Sequence, residues 1–263
     1  MKLLGGIAAA LVLVTGSALA ADLGARTYKA PPMSPAAVAY DWSGFTKSSS
    51  IGGQWWDANG TYVLAPPVDR HRTNGSSVIT GSQLGYQKQF GNWVLGVEGA
   101  LNQRWDYDYA SSLSVSGNCL GGSAIANRTC ESRLQNYWTV GGKVGYAWDR
   151  WMVYGSGGYA NGSVYTRTTL TIAPNTWTSY TKARQDGWYA GVGFDYYVMK
   201  FLWSDMIIGA EYQHIDLGTK LHVDILPGAT GANNRNVKVT DDVVRAKLTF
   251  KWNPAPAAVV AKY

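Results

Sequence analysis

The sequence is poor in charged residues and in cysteine. Lys, Arg, Asp and Glu make up 15% of its 263 residues, below the roughly 25% of ordinary soluble domains. No run of five or more basic residues occurs, which argues against nucleic-acid binding. Beyond residue 20 no apolar run is long enough for a spanning helix. A membrane location would therefore require a closed β-sheet, the other structure that pairs every backbone polar group in lipid.

The first twenty residues have the pattern of a secretory signal peptide. Lys2 is a short positive region, residues 3–14 are apolar, and residues 18–20 form a small-residue cleavage site. We therefore predict that residues 1–20 are removed. The rest of the chain carries 22 basic and 17 acidic residues, a net charge of +5. A charge this small and dispersed does not define an anionic partner.

The exported chain is predicted to have three parts. Residues 21–40 contain three prolines and form an extended periplasmic tether. Residues 41–252 hold the strands described below. Residues 253–263 are predicted to form a tail whose prolines stop the strand ladder. The tail either carries an assembly signal at its end or has no role. Cys119 and Cys130 are predicted to form a disulfide, as cysteines of exported proteins do.

Eight segments alternate between apolar and polar residues, the period of a β-strand. In the last segment, Val244 and Leu248 lie on one face while Arg245 and Lys247 lie on the other. The apolar face of the fourth segment is predicted to begin with Leu134. The predicted strands are residues 44–56, 78–90, 93–104, 134–148, 151–160, 187–198, 205–217 and 243–252. The register of the first and the facing of the fifth stay open.

Short and long connections alternate strictly between these segments. The short ones are residues 91–92, 149–150 and 199–204, and the long ones are residues 57–77, 106–133, 161–184 and 218–242. Several long structureless loops are unusual in a compact soluble domain. Bacterial outer-membrane barrels, in contrast, have short periplasmic turns, long external loops and an even number of strands. The pattern predicts an all-β fold, an eight-stranded antiparallel up-and-down transmembrane β-barrel.

Charge decides which face of the predicted strands meets lipid. A Lys or Arg facing the middle of the membrane costs about 2–4 kcal/mol, so the charged face is predicted to point into the lumen. The predicted lumen charges are Glu98, Arg104, Lys143, Asp195, Glu211, Arg245 and Lys247. The predicted lipid-facing residues are Trp138, Val144, Tyr146, Val192, Phe194, Val244, Leu248, Phe250 and Trp252.

The lumen charges have two interpretations. They line a selective pore, or they form a packed network, which the narrow interior of an eight-stranded barrel favours. Two H-x-D pairs, His214 with Asp216 and His222 with Asp224, could form Asp–His dyads. The low strand count and the missing second acidic pair favour exposed polar residues instead. We predict no enzyme activity, no cofactor and no metal site.

Several motifs give the chain a family resemblance. They are YKAPP, YDWSGF before the first strand, GSQLGYQKQFGNWVLGVEG across the first short turn, GAEYQHIDLG, and VRAKLTFKW. In their order and spacing the chain resembles alphaproteobacterial outer-membrane β-barrel proteins, the outer-membrane immunogenic or surface-antigen proteins. The resemblance implies a small OmpA-like barrel in the outer membrane of a Gram-negative cell.

The expected function is a structural and surface-antigen role in the cell envelope. The expected partners are outer-membrane lipid, lipopolysaccharide and the outer-membrane insertion machinery, with the protein itself a monomer. A small-solute porin is the first alternative. A secreted soluble β-sandwich adhesin or lectin is the second, kept open by N-x-S/T sequons at Asn59, Asn74, Asn127 and Asn161.

The facing of the last strand gives a first prediction. Leu248→Arg should block membrane insertion far more than Lys247→Leu, because only the first puts a cation in lipid. The measurement is the fraction of protein in the outer membrane that shifts mobility on boiling. Equal insertion of the two variants would contradict the proposed facing.

Overall fold

The computed structural model describes residues 40–63, 70–105, 127–172, 174–223 and 234–253. Almost all of them lie in eight strands. These are β1 (Gly44–Tyr62), β2 (Arg70–Phe90), β3 (Trp93–Arg104), β4 (Asn127–Trp148), β5 (Trp151–Ile172), β6 (Asn175–Phe201), β7 (Ser204–His222) and β8 (Arg235–Trp252). Consecutive strands pair antiparallel, and β8 pairs with β1 to close the barrel. The predicted fold class is confirmed. No helix of these residues is long and apolar enough to cross a membrane.

The pairing registers fix the tilt and the width of the barrel. A path of paired residues that leaves β1 at Lys47 and crosses every strand in turn returns to β1 at Asp57, ten residues further along. Such a stagger over eight strands requires strongly tilted strands and leaves an interior that side chains can fill.

Three tight turns lie at one end of the barrel, together with its two termini at Gly44 and Trp252. We call this the turn end and the opposite one the loop end. Two of the turns occupy the predicted positions, 91–92 and 149–150, and the third spans only residues 202–203 rather than 199–204. Gly91 has a φ of 61°, in the left-handed region where glycine carries no steric cost.

The strands extend further toward the loop end than predicted. Residues 161–184, predicted to be a long loop, are mostly the ends of β5 and β6, which are separated by only two residues. Strand structure also replaces much of the predicted loops 57–77 and 218–242. Their outward positions are mainly polar and their inward positions mix Val with Thr and Gln, so the apolar alternation is weak while their Thr, Val and Tyr residues still favour strands.

The pairing of the strands settles one register that the sequence left open and corrects one predicted facing. In β1, Phe45 pairs with both Tyr86 and Trp252, and Ser48 and Ser50 point inward. This settles the register that the sequence left open. The predicted outward facing of Leu134 is wrong, because a register shift between Leu134 and Asn136 turns its side chain into the barrel, where it is fully buried.

The outer surface of the barrel carries an apolar band between two aromatic girdles. The turn-side girdle contains Phe45, Phe90, Trp93, Trp148, Trp151, Phe201 and Trp252, and the loop-side girdle contains Trp55, Trp138, Tyr159 and Trp188. Between them lie mainly Val, Leu and Ile side chains. The structure places on this outer surface all of the residues predicted to face lipid, namely Trp138, Val144, Tyr146, Val192, Phe194, Val244, Leu248, Phe250 and Trp252. Such a band with two girdles is typical of transmembrane barrels.

Candidate functional site inside the barrel

A cluster of charged side chains occupies the middle of the lumen, with Glu211 of β7 at its centre. Its Oε1 accepts a hydrogen bond of 2.9 Å from Arg245 Nη2, and its Oε2 lies 3.0 Å from Lys247 Nζ. The Tyr154 hydroxyl donates to the same Oε2 at 2.9 Å. Glu211 and Arg245 are direct partners in the β7–β8 ladder. The strand register therefore brings opposite charges into contact where lipid excludes water from outside.

The remaining lumen charges surround this centre. Lys247 Nζ lies 3.6 Å from Asp195 Oδ1, and Lys143 Nζ lies 4.0 Å from Glu98 Oε2. The side chains of these four residues are at most about a tenth exposed. We call the whole set the central cluster: Glu98, Lys143, Tyr154, Asp195, Glu211, Arg245 and Lys247. It contains three acidic and three basic residues, so it can be neutral overall.

Tyr154 joins the two halves of the central cluster, and the sequence analysis missed it. The ammonium groups of Lys247 and Lys143 lie 4.6 Å and 5.0 Å from the centre of its ring, within the range of a cation–π interaction. A Cβ at Gly193 would lie only 2.5 Å from Tyr154 Cζ, so the glycine leaves space for the ring. Glycines follow Tyr154 in β5 and hide its alternation, but a lone large side chain in a glycine-rich strand was a usable signal.

Little free space remains beside the central cluster. The cavity lined by Glu98, Lys143, Asp195 and Lys247 measures about 10 Å³. That volume is about one probe sphere, so it admits no more than a single water molecule. Opposite charges in so dry an environment interact much more strongly than on a surface.

Toward the loop end the lumen contains an apolar cluster beside a few buried charged side chains, among them Asp241 and Arg235. Leu134, Val164, Ile215, Leu217 and Val237 are buried together there. The predicted lumen residue Arg104 is buried at the end of β3 but does not belong to the central cluster. Asn102, which accepts a hydrogen bond of 2.7 Å from Arg245 Nη1, links the cluster to this part of the lumen. Aliphatic residues facing inward break the polar-in, apolar-out pattern on which the sequence prediction depended.

The residues before β1 pack into the turn end of the lumen. Trp42 is fully buried, and its indole Nε1 donates to the Asp149 carbonyl at 3.2 Å. Its backbone N–H donates to Gln89 Oε1 at 2.7 Å, and its carbonyl accepts from Gln87 Nε2 at 2.7 Å. We call residues 40–43 the cap. The cap begins at residue 40, the last residue of the predicted tether, because Tyr40 also packs into the barrel.

Tyr40 holds the cap to the last strands of the barrel. Its ring stacks on Tyr197 at 4.1 Å and lies 4.3 Å from Lys251 Nζ, while its hydroxyl donates to Asp205 Oδ2 at 2.9 Å. Burial and the Asp205 carboxylate raise the pKa of the Tyr40 hydroxyl, so it stays protonated and keeps this hydrogen bond. Lys251 Nζ also donates to the Asp41 carbonyl.

The first H-x-D pair does not form the dyad considered from the sequence, and the second includes Asp224, which lies outside the described residues. His214 Nδ1 lies 2.8 Å from Asp242 Oδ1 across the ladder, and Asp216 instead pairs with Lys238 at 3.0 Å. Cross-strand neighbours lie closer together than alternate residues along one strand. His222 contacts Thr166 and Gln185. In the ranges that the structure covers, no group of three His, Cys, Asp or Glu side chains could hold a metal ion.

Several predictions fall outside the described residues. These are the signal peptide 1–20, the tether 21–40 apart from Tyr40, the tail 253–263 apart from Asn253, and Asp224. The disulfide also lies there, since Cys119 and the side chain of Cys130 are not described. These stay predictions.

The central cluster makes a testable prediction about stability. Glu211→Gln should lower the free energy of unfolding by about 3–5 kcal/mol, because it leaves Arg245 and Lys247 buried without their shared carboxylate. Asp57→Asn is the matched control. It breaks the exposed Arg72–Asp57 pair and should cost at most about 1 kcal/mol. Urea unfolding of the protein refolded into lipid vesicles measures both, and equal losses would contradict the importance of the cluster.

The comparisons with known proteins agree with this architecture. The family profile described as "Outer membrane protein beta-barrel domain" matches residues 7–250. The 31 kDa outer-membrane immunogenic proteins of Brucella melitensis biotype 1 and Brucella suis biovar 1 are each 29% identical to the chain over 257 residues. The matched region covers 94% of this chain and 98% of each relative.

Two solved structures are similar in outline. The outer membrane protease OmpT from Escherichia coli has a TM-score of 0.45 at 10% identity, covering 80% of this chain and 97% of that one. Neisserial surface protein A has a TM-score of 0.32 at 10% identity, covering 78% of this chain and 97% of its own. Neither similarity bears on activity. The family match extends over nearly all of the barrel, and the chain therefore belongs to the outer membrane β-barrel protein family and is located in the cell outer membrane.

Proposed function

We propose that the protein is a structural, non-enzymatic barrel of the outer membrane that presents a surface antigen and whose lumen does not conduct. The observation that carries the proposal is the central cluster. Its three acidic and three basic residues lie in contact, and the cavity beside them measures about 10 Å³, which is too small for a hydrated ion. A pore would instead need polar walls that are set back from its axis.

Two further layers support a closed lumen. On the turn side of the central cluster, the cap inserts Trp42 beneath it with no exposed surface. On the loop side, the buried aliphatic residues, together with Trp56 and Tyr189, form an apolar layer. Water and ions would have to cross an apolar layer, a charged layer and an aromatic one in series. Each layer alone would oppose passage for a different physical reason.

The extensions of the strands beyond the loop-side girdle support the antigenic role. Short turns of outer-membrane barrels face the periplasm, so the loop end projects outside the cell. There the hairpin of β5 and β6 continues as an ordered ladder to Ile172 and Asn175. Exposed Tyr180 and Lys182 lie on it. A rigid polar hairpin is a suitable epitope, and the Brucella relatives are named immunogenic. We propose further that the insertion machinery assembles it as a monomer.

The closed lumen predicts the result of a planar-bilayer experiment. The folded wild-type protein should give no steady ion-selective current steps. A porin recorded in the same bilayer serves as the positive control, and the double variant Tyr154→Ala with Arg245→Ala should still give no current, because the apolar layer and the cap remain in place. A steady selective current from the wild type would replace this proposal with the small-solute porin.

The cap gives a separate prediction. Trp42→Ala should lower the free energy of unfolding by about 3–5 kcal/mol, as truncation of a buried Trp does, yet it should not produce a current. The central cluster still closes the lumen in this variant. Urea unfolding in lipid and planar-bilayer recording are the two measurements. A current from Trp42→Ala at normal stability would make the cap, rather than the central cluster, the element that closes the lumen.

A further inference from the structure

A groove of about 500 Å³ lies on the outer surface of the barrel at the height of the loop-side girdle. It crosses β2 to β6, and it exists because the wall is uneven there. β3 ends at Arg104 after 12 residues, while β2 and β4 continue beyond their last pairs with it. The register shift near Asn136 disturbs β4 at the same height. Its main lining residues are Leu101, Gln103, Asn136, Trp138, Asn161 and Arg184.

The groove changes from apolar to polar in the outward direction. On β3, exposed Leu101 is followed outward by Gln103, and on β4, exposed Trp138 is followed outward by Asn136. Asn161 and Arg184 complete the outer side. The side of the groove that faces the turn end is continuous with the apolar band. The groove therefore matches an amphiphile that stands in the outer leaflet, with its chains on the band and its headgroup among amides and a guanidinium.

The outer side of the groove is cationic. Arg184 is exposed and makes no ion pair with any residue that the structure describes. Just beyond it, the ring of Tyr165 lies 5.2 Å from Lys182 Nζ and 5.8 Å from Arg133 Cζ. On the same strand, Asp186 accepts a hydrogen bond of 2.7 Å from Asn161 and another from Tyr159, and no ion pair joins it to Arg184 among the described residues.

We propose that this groove binds the phosphorylated sugar headgroup of an outer-leaflet glycolipid. Arg184 binds the phosphate, because a guanidinium fork matches phosphate oxygens in two parallel hydrogen bonds. The side-chain amides of Gln103 and Asn136 face the sugar, and Trp138 and Leu101 contact the first part of the acyl chains. The volume is in the range of ordinary ligand sites. The proposal rests on the outer-membrane location and not on the closed lumen.

The test measures binding of diphosphoryl lipid A to the folded full-length protein in nanodiscs, followed by native mass spectrometry and by Trp fluorescence. Arg184→Gln should weaken binding about tenfold, as loss of one charge-assisted contact does, and Arg184→Lys should recover part of the loss. Arg72→Gln is the matched control, because Arg72 is also an exposed cation on an extended strand but is paired with Asp57. It should bind like the wild type.

Competitors distinguish the possible sources of the anion. Lipid A without phosphate should bind weakly, and inorganic phosphate or phosphatidylglycerol should displace diphosphoryl lipid A poorly. Full displacement by either competitor, or equal losses in Arg184→Gln and Arg72→Gln, would overturn the proposal. Planar-bilayer recording of Arg184→Gln separates the two proposals, since the closed lumen predicts no current whether or not the glycolipid binds.

Discussion

The pairing of backbone groups in lipid is the constraint on which the rest of this structure depends. A membrane interior offers no water to an unpaired N–H or C=O group, so a sheet that spans it must close on itself. Here β1 and β8 close the barrel along their full lengths, from Phe45 with Trp252 to Tyr62 with Arg235. Once eight strands close with a stagger of ten residues, the tilt and the inner diameter follow. The side chains then have to fill whatever interior remains.

That interior explains why the charges at the centre of the barrel lie in contact with one another. A lone carboxylate such as Glu211 would be very costly away from water, whereas one shared by Arg245 and Lys247 is stabilised. Every member of the central cluster therefore depends on its neighbours, and the arrangement is specific because few alternatives satisfy all of them. The cap follows the same rule, since buried Lys251 lies 3.3 Å from Asp205 there. The aliphatic residues on the loop side need no such partner and fill the space around them.

The sequence predicted the parts of this architecture that arise from local alternation. In β8 the apolar and cationic residues occupy separate faces, and the cost of cations in lipid was enough to orient the strand. The same argument found Glu211, Arg245 and Lys247, which the structure brings into contact. Alternation could not find the strand extensions, because their buried faces mix apolar residues such as Val164 with polar ones such as Thr166 and Gln185. It also missed the inward turn of Leu134, since a register shift is set by pairing with β5 and not by the residues of β4.

The inward side chains that the sequence missed share a physical reason. The inward position of Tyr154 depends on the space that glycines on the neighbouring strand leave for its ring. The contacts of Tyr40 and Trp42 join the start of the barrel to residues far along the chain. Such contacts form only in the closed barrel, and they produce no periodic pattern in the sequence. The groove on the outer surface is similar, because it results from the unequal lengths of three neighbouring strands. The sequence of any one of these strands alone therefore cannot predict the groove.

The cap also has a consequence for the order of assembly. Residues 40–43 are the first part of the barrel domain to emerge during export, yet their partners are Asp149, Tyr197, Asp205 and Lys251. Lys251 lies next to the last residue of β8. The earliest segment can therefore reach its final position only after the latest strand has joined the sheet. Until that strand joins, Tyr40 lacks its contact with Lys251, so the cap is among the last parts of the barrel to be completed.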